Sequence, residues 1–229
     1  MSTWTPLESN PEVLTKYIHK LGVSPAWAVT DVIGLDDELL ACLPNPVKAI
    51  IFLFPISDAY EKHRAEEHER IKTGAEPQKH PEDLFYMRQF THNACGTVAL
   101  IHSVANNKDI EIVGGVLKTF LEKGAKMSPE ERGEALEKDK EFTEDHQTLA
   151  QEGQTNAADF ETVIHHFITF VNKENTLYEL DGRKSYPISH GKTSDETFVR
   201  DAAKVCKEFM ARDPDEVRFT VLAMTAAQD

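Results

Sequence analysis

Residues 47–54, with the sequence VKAIIFLF, form an almost continuous run of apolar and β-branched side chains that ends at Pro55. A run of this length without polar alternation is typical of a strand that is buried on both faces. A strand of this kind lies inside a sheet rather than at its edge. We therefore expect the chain to fold around a sheet with residues 47–54 near its centre.

Helix-start signals predict helices in three other places. Asn10 can cap a first helix that Gly22 ends, because a glycine easily adopts the left-handed conformation of a C-terminal cap. A capping box that starts at Ser128 predicts a second helix, and Thr193 with Glu196 predicts a capping box for a third. Helices therefore dominate the middle of the chain, and one of them lies near its end.

Two polar stretches have different predicted structures. Residues 58–81 are highly charged, which predicts a solvated helix followed by a loop. Residues 143–161 are polar and show no sustained period, which predicts a long loop. Further strands are predicted from β-rich patterns at residues 163–171, 176–180 and 217–224, with a turn between the first two.

Length and charge limit the classes of function. We expect the 229 residues, 1–229, to form a single domain. The formal net charge of -14 argues against binding to nucleic acid or anionic lipid, and it fits either a basic partner or simple solubility. No run approaches the ~18 apolar residues of a membrane span, and the first residues lack the pattern of a secretory signal.

The three cysteines, at positions 42, 95 and 206, are widely spaced and contain no C-x-x-C pair. Neither a disulfide framework nor a zinc site is indicated, and a reducing compartment fits best, the cytoplasm with or without the nucleus. His63 and His68 are five residues apart, which does not match the i, i+4 spacing of a helical zinc site. We expect neither a metal nor a cofactor.

Cys95 lies where an apolar helical pattern begins, in the sequence NACGTVALIHSVANN. A helix N-terminus lowers the pKa of a thiol through its partial positive charge and its free N–H groups. Gln89 lies six residues earlier, close enough for its amide to join the Cys95 N–H in an oxyanion hole. The alternative is a cysteine that serves as a small buried hydrophobe, an interpretation that fits Cys42 and Cys206 well.

A nucleophilic thiol needs a proton acceptor, and His166 is the best candidate because it lies in a strand pattern with apolar neighbours. Asp181 follows fifteen residues later, after a predicted hairpin partner strand that could bring its carboxylate to the imidazole. The order Cys, His, Asp is papain-like. Taken separately, His166 could be a core residue and Asp181 part of a turn.

Several segments together carry a specific resemblance. They are WTPLESNPEV near the start, PVKAIIFLFP, the glutamine at position 89 followed by NACGTVALIHSVANN, EGQT and LYELDGRK. Over essentially its whole length the chain resembles the ubiquitin C-terminal hydrolase family of cysteine proteases, in particular its short single-domain L3-type members. The resemblance implies that Cys95 is the nucleophile, His166 the general base and acid, Asp181 its orienting partner and Gln89 the oxyanion donor.

The same resemblance implies an α/β fold in which a mostly antiparallel sheet is flanked by helices in a papain-like arrangement, with a knotted backbone. An active-site crossover loop would correspond to residues 145–160 and would limit the size of what passes over the cleft. Leu7 and Asp31 are implied to contact ubiquitin. For Asp31 a solvent-facing turn or cap remains an alternative.

The implied activity is the removal of small or flexible adducts from the C-terminal glycine of ubiquitin, with ubiquitin as the partner and the enzyme as a monomer. Two alternatives stay open at this point. The same residues could act on another ubiquitin-like modifier, or the protein could be a ubiquitin reservoir with slow turnover, because a displacement of about 1 Å can cost roughly 10²-fold in rate.

Overall fold

The computed structural model describes residues 4–152 and 164–228. Within them the chain forms eight helices and six strands. In chain order these are α1 (Pro11–Leu21), β1 (Trp27–Asp31), α2 (Asp37–Leu40), β2 (Val47–Pro55), α3 (Asp58–Lys72), α4 (Cys95–Ala105), α5 (Gly115–Gly124), α6 (Pro129–Lys138), α7 (Lys140–Ala150), β3 (His165–Lys173), β4 (Thr176–Leu180), β5 (Ile188–Lys192), α8 (Phe198–Ala211) and β6 (Thr220–Ala226). None of the helices in this part of the chain is long and apolar enough to cross a bilayer.

The strands form one sheet in the order β1-β6-β2-β3-β4-β5, and each neighbouring pair is antiparallel. The strand predicted from residues 47–54 is β2, which lies between β6 and β3. Its buried, central position is therefore confirmed. The predicted α/β class, with a mainly antiparallel sheet between helices, is confirmed as well.

Hydrophobic clusters cover both faces of the sheet, because successive side chains of a strand point in opposite directions. Along β2, Ala49 and Ile51 belong to one cluster, together with side chains of α1, α4, α5 and α7. Ile50 and Phe52 belong to the other, together with side chains of α2, α3 and α8. The helix that begins at Cys95 is thus buried against one face of the central strands.

The helix ends follow two of the three predicted signals. The Asn10 side chain accepts the N–H groups of Glu12 and Val13 at 2.9 and 3.3 Å, and Gly22 ends α1 with a φ of 108°. In α6 the predicted capping box is present: Ser128 and the residue three positions later exchange side-chain bonds to each other's N–H groups. These predictions succeeded because the caps depend on local sequence alone.

The third capping box is absent, and this prediction was wrong. Helix α8 begins at Phe198, and Thr197 is its N-cap without a side-chain bond. The Thr193 hydroxyl instead donates to a carboxylate oxygen of Asp201 at 2.7 Å. A capping box would need the Thr193 oxygen to accept the Glu196 N–H at the start of the helix, but α8 begins after both residues.

The long loop predicted for residues 143–161 is wrong over its first half, because residues 140–150 form α7. Asp139 caps this helix by accepting the N–H groups of Glu141 and Phe142 at 3.1 Å each. The buried face contains Phe142, His146 and Leu149, at helical spacing. Because the polar residue His146 lies in the middle of that face, the sequence showed no regular spacing of apolar residues. Of the crossover loop expected at 145–160, residues 145–150 are thus helical and residues 153–160 lie outside the described part. The knotted path stays a prediction.

Candidate active site

Cys95 is the first residue of α4, a helix whose residues 95–104 are all buried. The first N–H groups of a helix have no intrahelical partner, so this end of α4 presents donors and partial positive charge to the thiol. The helix is fixed to the sheet in part by the Thr169 hydroxyl of β3, which donates to the Ala99 carbonyl at 2.8 Å. The thiol therefore lies at the start of a helix, as the sequence predicted, and this helix is held against the sheet.

His166 lies at the start of β3, where it pairs in register with Phe54 of β2. Its ring is almost completely buried, and the Phe54 ring packs edge-on against it at a centroid distance of 5.8 Å. On one side the ring lies next to the Cys95 thiol, close enough for the two groups to shift each other's pKa. On the other side its Nε2 atom lies 2.6 Å from Oδ1 of Asp181. The three residues predicted as a triad are thus in contact.

A hairpin brings Asp181 to His166. Strands β3 and β4 pair with Thr169 opposite Leu180, and Asp181 is the next residue of the chain. Glu174 and Asn175, between the two strands, have φ values of 51° and 59°, the left-handed conformation that favours a tight turn with the right-handed twist of a hairpin. The predicted hairpin is confirmed, and its register sets the position of the carboxylate.

The charge state of the triad follows from these contacts. Burial alone would raise the pKa of Asp181, but the neighbouring His166 and other donors hold this pKa well below its usual range. Burial alone would lower the pKa of His166, but the Asp181 carboxylate and the Cys95 thiolate raise it to about 9. Burial opposes ionisation of the Cys95 thiol too, yet the bond to His166 brings its pKa below the ordinary value. The pair is therefore suited to a thiolate–imidazolium state.

Gln89 is joined by a backbone hydrogen bond to the residue that follows Asp181. Its N–H donates to the Gly182 carbonyl at 2.8 Å. Its side-chain Nε2 donates to the Thr91 carbonyl at 3.2 Å, and its Oε1 atom is buried without a hydrogen-bond partner among the described residues. The amide is thus half-buried near the start of α4, and its donor is engaged by a carbonyl four residues before Cys95.

A cleft of about 1040 Å³ opens beside the thiol. Its lining includes Leu7 and Asp31, the two residues implied to contact ubiquitin. Leu7 is buried and covers Gly96, where a Cβ atom would lie 3.1 Å from the Leu7 Cδ1 atom. Asp31 is exposed at the end of β1, so it is neither in a turn nor in a cap. Both side chains are therefore placed at the edge of the candidate site.

Sequence reasoning missed the donors that surround Asp181. The Tyr60 hydroxyl donates to Oδ2 at 2.6 Å, and the Arg183 N–H donates to Oδ1 at 2.8 Å. The Tyr86 hydroxyl donates to the backbone carbonyl of Asp181 at 2.6 Å. The sequence shows Tyr60 only as an aromatic residue in a largely charged helix, α3. Such a residue indicates packing and does not indicate a hydrogen bond to Asp181.

The other two cysteines lie in different surroundings. Cys206 is buried, as expected for a small hydrophobe, but Cys42 is exposed, so the same expectation is wrong for it. Cys42 lies two residues after the end of the short helix α2, and its thiol donates to the Glu38 carbonyl at 3.4 Å. Within residues 4–152 and 164–228, no group of three His, Cys, Asp or Glu side chains is arranged to hold a metal ion.

Comparisons with known proteins find relatives over essentially the whole chain. The profile of the family described as "Ubiquitin carboxyl-terminal hydrolase, family 1" matches residues 4–211. A "Ubiquitin carboxyl-terminal hydrolase" of Drosophila melanogaster is 78% identical over 228 residues, which cover 100% of both chains. "Ubiquitin carboxyl-terminal hydrolase isozyme L1" of Homo sapiens is 43% identical over 225 residues, which cover 97% of this chain and 98% of the relative.

Solved structures with the same fold include the catalytic domain of Trichinella spiralis UCH37 bound to ubiquitin vinyl methyl ester. The TM-score is 0.77 at 25% sequence identity, and the match covers 99% of this chain and 97% of that domain. A second structure, of Trichinella spiralis UCH37 with the same ligand, gives a TM-score of 0.76 at 26% identity and covers 99% and 84% of the two chains.

Proposed function

Because this chain belongs to ubiquitin carboxyl-terminal hydrolase family 1, we propose that it removes small or flexible adducts from the C-terminal glycine of ubiquitin by thiol chemistry. The single observation that carries the proposal is the continuous contact from the Cys95 thiol through the His166 ring to the Asp181 carboxylate, beside an open cleft. Such an arrangement of nucleophile, base and orienting carboxylate is that of a cysteine protease.

In the first half of the reaction the Cys95 thiolate attacks the carbonyl carbon of the C-terminal glycine. The Asp181 carboxylate holds the His166 ring by Nε2, which leaves Nδ1 as the nitrogen that faces the thiol. The imidazolium then gives its proton to the leaving amine or thiol, and an acyl-enzyme remains. In the second half His166, now neutral, takes a proton from water, which attacks the thioester and releases ubiquitin.

The oxyanion of the tetrahedral intermediate would form next to the start of α4. The Cys95 N–H is one donor there, since it lies in the first turn of the helix. Gln89 is the proposed second donor, and its Nε2 must leave the Thr91 carbonyl to reach the oxyanion. The Cys95 N–H is therefore in place before the reaction, whereas the Gln89 side chain has to turn away from Thr91 before it can donate.

The proposed substrate contacts follow from the cleft. Leu7 and Asp31 line it together with Cys95, and they are the residues that we propose to contact the ubiquitin chain. The net charge of -14 would attract a basic partner and speed its association. The segment around residues 145–160, helical as far as Ala150, remains our proposal for the element that limits adduct size.

The remaining parts of the proposal concern the state of the protein. We propose that residues 1–229 act as one catalytic domain and as a monomer, since the cleft beside Cys95 would hold one ubiquitin chain. Binding of nucleic acid or membrane is not part of the proposal, because the charge is strongly negative. The cytoplasm, with or without the nucleus, is the proposed location.

The experiment that tests the proposal is hydrolysis of a fluorogenic amide at the ubiquitin C-terminus. We expect turnover by the wild type and none by Cys95→Ala, whereas Cys42→Ala, which removes an exposed thiol, should retain wild-type turnover. The equivalent substrate of another ubiquitin-like modifier, measured in parallel, ranks the two modifiers. Tight ubiquitin binding without wild-type turnover would contradict the proposal and favour a ubiquitin reservoir.

A further inference from the structure

The carboxylate of Asp181 has hydrogen-bond donors at both of its oxygens. Oδ1 faces Nε2 of His166 at 2.6 Å and accepts the Arg183 N–H at 2.8 Å. Oδ2 accepts the hydroxyl of Tyr60 at 2.6 Å. All of these groups are buried or half-buried, and a charged acceptor strengthens such bonds roughly twofold over neutral ones. The phenol therefore fixes the end of the carboxylate that His166 does not contact.

The Tyr60 hydroxyl can act only as a donor toward this carboxylate. Burial raises the pKa of the phenol, and the negative charge of Asp181 raises it further, far above its ordinary value. The phenol therefore keeps its proton at neutral pH. Of the nearby cations, Lys184 is bonded to Glu67 and Glu179, so its ammonium group is already engaged.

Several contacts hold Tyr60 in place. Its N–H donates to the Ser57 side chain, the N-cap of α3, at 3.3 Å. Its ring packs against Phe54 at a centroid distance of 4.9 Å, and the guanidinium of Arg183 lies 5.7 Å above the ring centroid. The same guanidinium forms an ion pair with Glu61 at 2.5 Å. Helix α3 is thus clamped to the segment that follows Asp181.

We propose that Tyr60 is a positioning residue for the hydrolysis, because its hydroxyl holds Oδ2 of Asp181 so that Oδ1 stays directed at the His166 ring. The inference rests on the proposed function of the triad. Without the phenolic donor, Oδ2 loses its bond, and rotation about the Cβ–Cγ bond of Asp181 is opposed only by the bonds at Oδ1. The ring of His166 then samples orientations in which it no longer faces the Cys95 thiol.

The test uses Tyr60→Phe, which keeps the packed ring and removes one oxygen. We expect kcat to fall about 10-fold with KM unchanged, which is less than the roughly 10²-fold that an error of about 1 Å costs. The concentration of active sites is measured by titration with a ubiquitin C-terminal electrophile, and kcat is calculated from that concentration. Misfolded protein is therefore not counted. The matched control is Tyr178→Phe, since the Tyr178 hydroxyl donates to the Lys79 carbonyl instead; it should keep wild-type kcat.

A double-mutant cycle separates positioning from general stability. In an Asp181→Ala background Tyr60→Phe should leave kcat unchanged, because the hydroxyl has lost the group through which it acts. A kcat within twofold of wild type, a loss confined to KM, or an equal loss in both backgrounds would overturn the inference and leave the proposed function intact. Absence of wild-type hydrolysis would instead overturn both.

Discussion

The backbone N–H of Gln89 donates to the carbonyl oxygen of Gly182 at 2.8 Å. This bond joins the segment that carries the proposed oxyanion donor to the residue that follows Asp181. The two segments are 93 positions apart in the sequence, yet one backbone contact sets the spacing between two proposed parts of the site. A shift of either segment therefore displaces the other.

The first prediction concerns that contact. A Cβ atom at Gly182 would lie 2.9 Å from the Cβ of Gln89 and 3.2 Å from a methyl group of Val98. Gly182→Ala should therefore push Gln89 away and lower kcat for the ubiquitin amide about 10- to 100-fold. Gly114→Ala is the control, because nothing lies within 4 Å of its Cβ position. Equal turnover of both variants would contradict the prediction.

The second prediction concerns the amide of Gln89 itself. Gln89→Ala should lower kcat by about 10² to 10³, the usual cost of removing one oxyanion donor. Gln89→Glu should lose as much, since it keeps the length of the side chain but has no N–H₂ group. Gln228, exposed after the end of β6, provides the control substitution to Ala. Near-full turnover of Gln89→Ala would remove this residue from the oxyanion hole.

The sequence predicted the features of the fold that depend on local signals. The central strand from VKAIIFLF, the caps at Asn10 and Ser128, and the turn before β4 are all present because a few adjacent residues determine them. The strands β1 and β5 escaped prediction, since each contains polar residues and is partly exposed to solvent. Short edge strands carry too few apolar positions for a periodic signal.

In the candidate site, the identity of Cys95, His166 and Asp181 could be predicted, but their shared environment could not. The strand register that brings His166 and Asp181 together needs only a hairpin, which is local. The hydroxyl of Tyr60 reaches Asp181 across 121 positions of sequence. Contacts of that separation depend on how whole elements pack, and no short pattern records them. His146 in α7 is a similar case, since a buried polar chain through Thr97 makes a histidine acceptable on an apolar face.

The third prediction concerns the pH dependence of hydrolysis. Activity requires the Cys95 thiolate, which forms as the pH rises through its lowered pKa, and the His166 imidazolium, which is lost as the pH rises through about 9. The profile of kcat/KM should therefore fall on its alkaline side near pH 9. The Asp181 carboxylate opposes the effect of burial on His166, so Asp181→Asn should move this alkaline limb to lower pH by at least about one unit.

The measurement is the profile of kcat/KM from pH 5 to 10 at constant ionic strength, for the wild type and for Asp181→Asn. Asp215→Asn, which changes an exposed carboxylate of equal charge, is the control for a general effect of charge on the profile. An alkaline limb that stays at the same pH in Asp181→Asn would show that another group controls the charge of the imidazole.

The fourth prediction concerns His102, a fully buried residue of α4 outside the triad. Its Nε2 atom accepts the Met87 N–H at 3.1 Å, and its ring stacks on Tyr86 at a centroid distance of 5.4 Å. Burial lowers the pKa of His102 to about 3. The unfolded chain binds a proton here below an ordinary pKa of about 6.5, whereas the folded protein does not, so stability is lost as the pH falls from about 6.5 toward 3.

Between pH 7 and pH 5 this linkage should cost about 2 kcal/mol of the free energy of unfolding. In His102→Gln the side-chain oxygen can still accept the Met87 N–H, but no proton is bound on unfolding, so the decrease between the two pH values should be smaller by about that amount. Urea unfolding at both pH values measures it, with His80→Gln, an exposed histidine, as the control. If wild type and His102→Gln lost the same stability on acidification, the acid sensitivity would belong to other groups, with His146, whose pKa burial lowers to about 4, as the next to test.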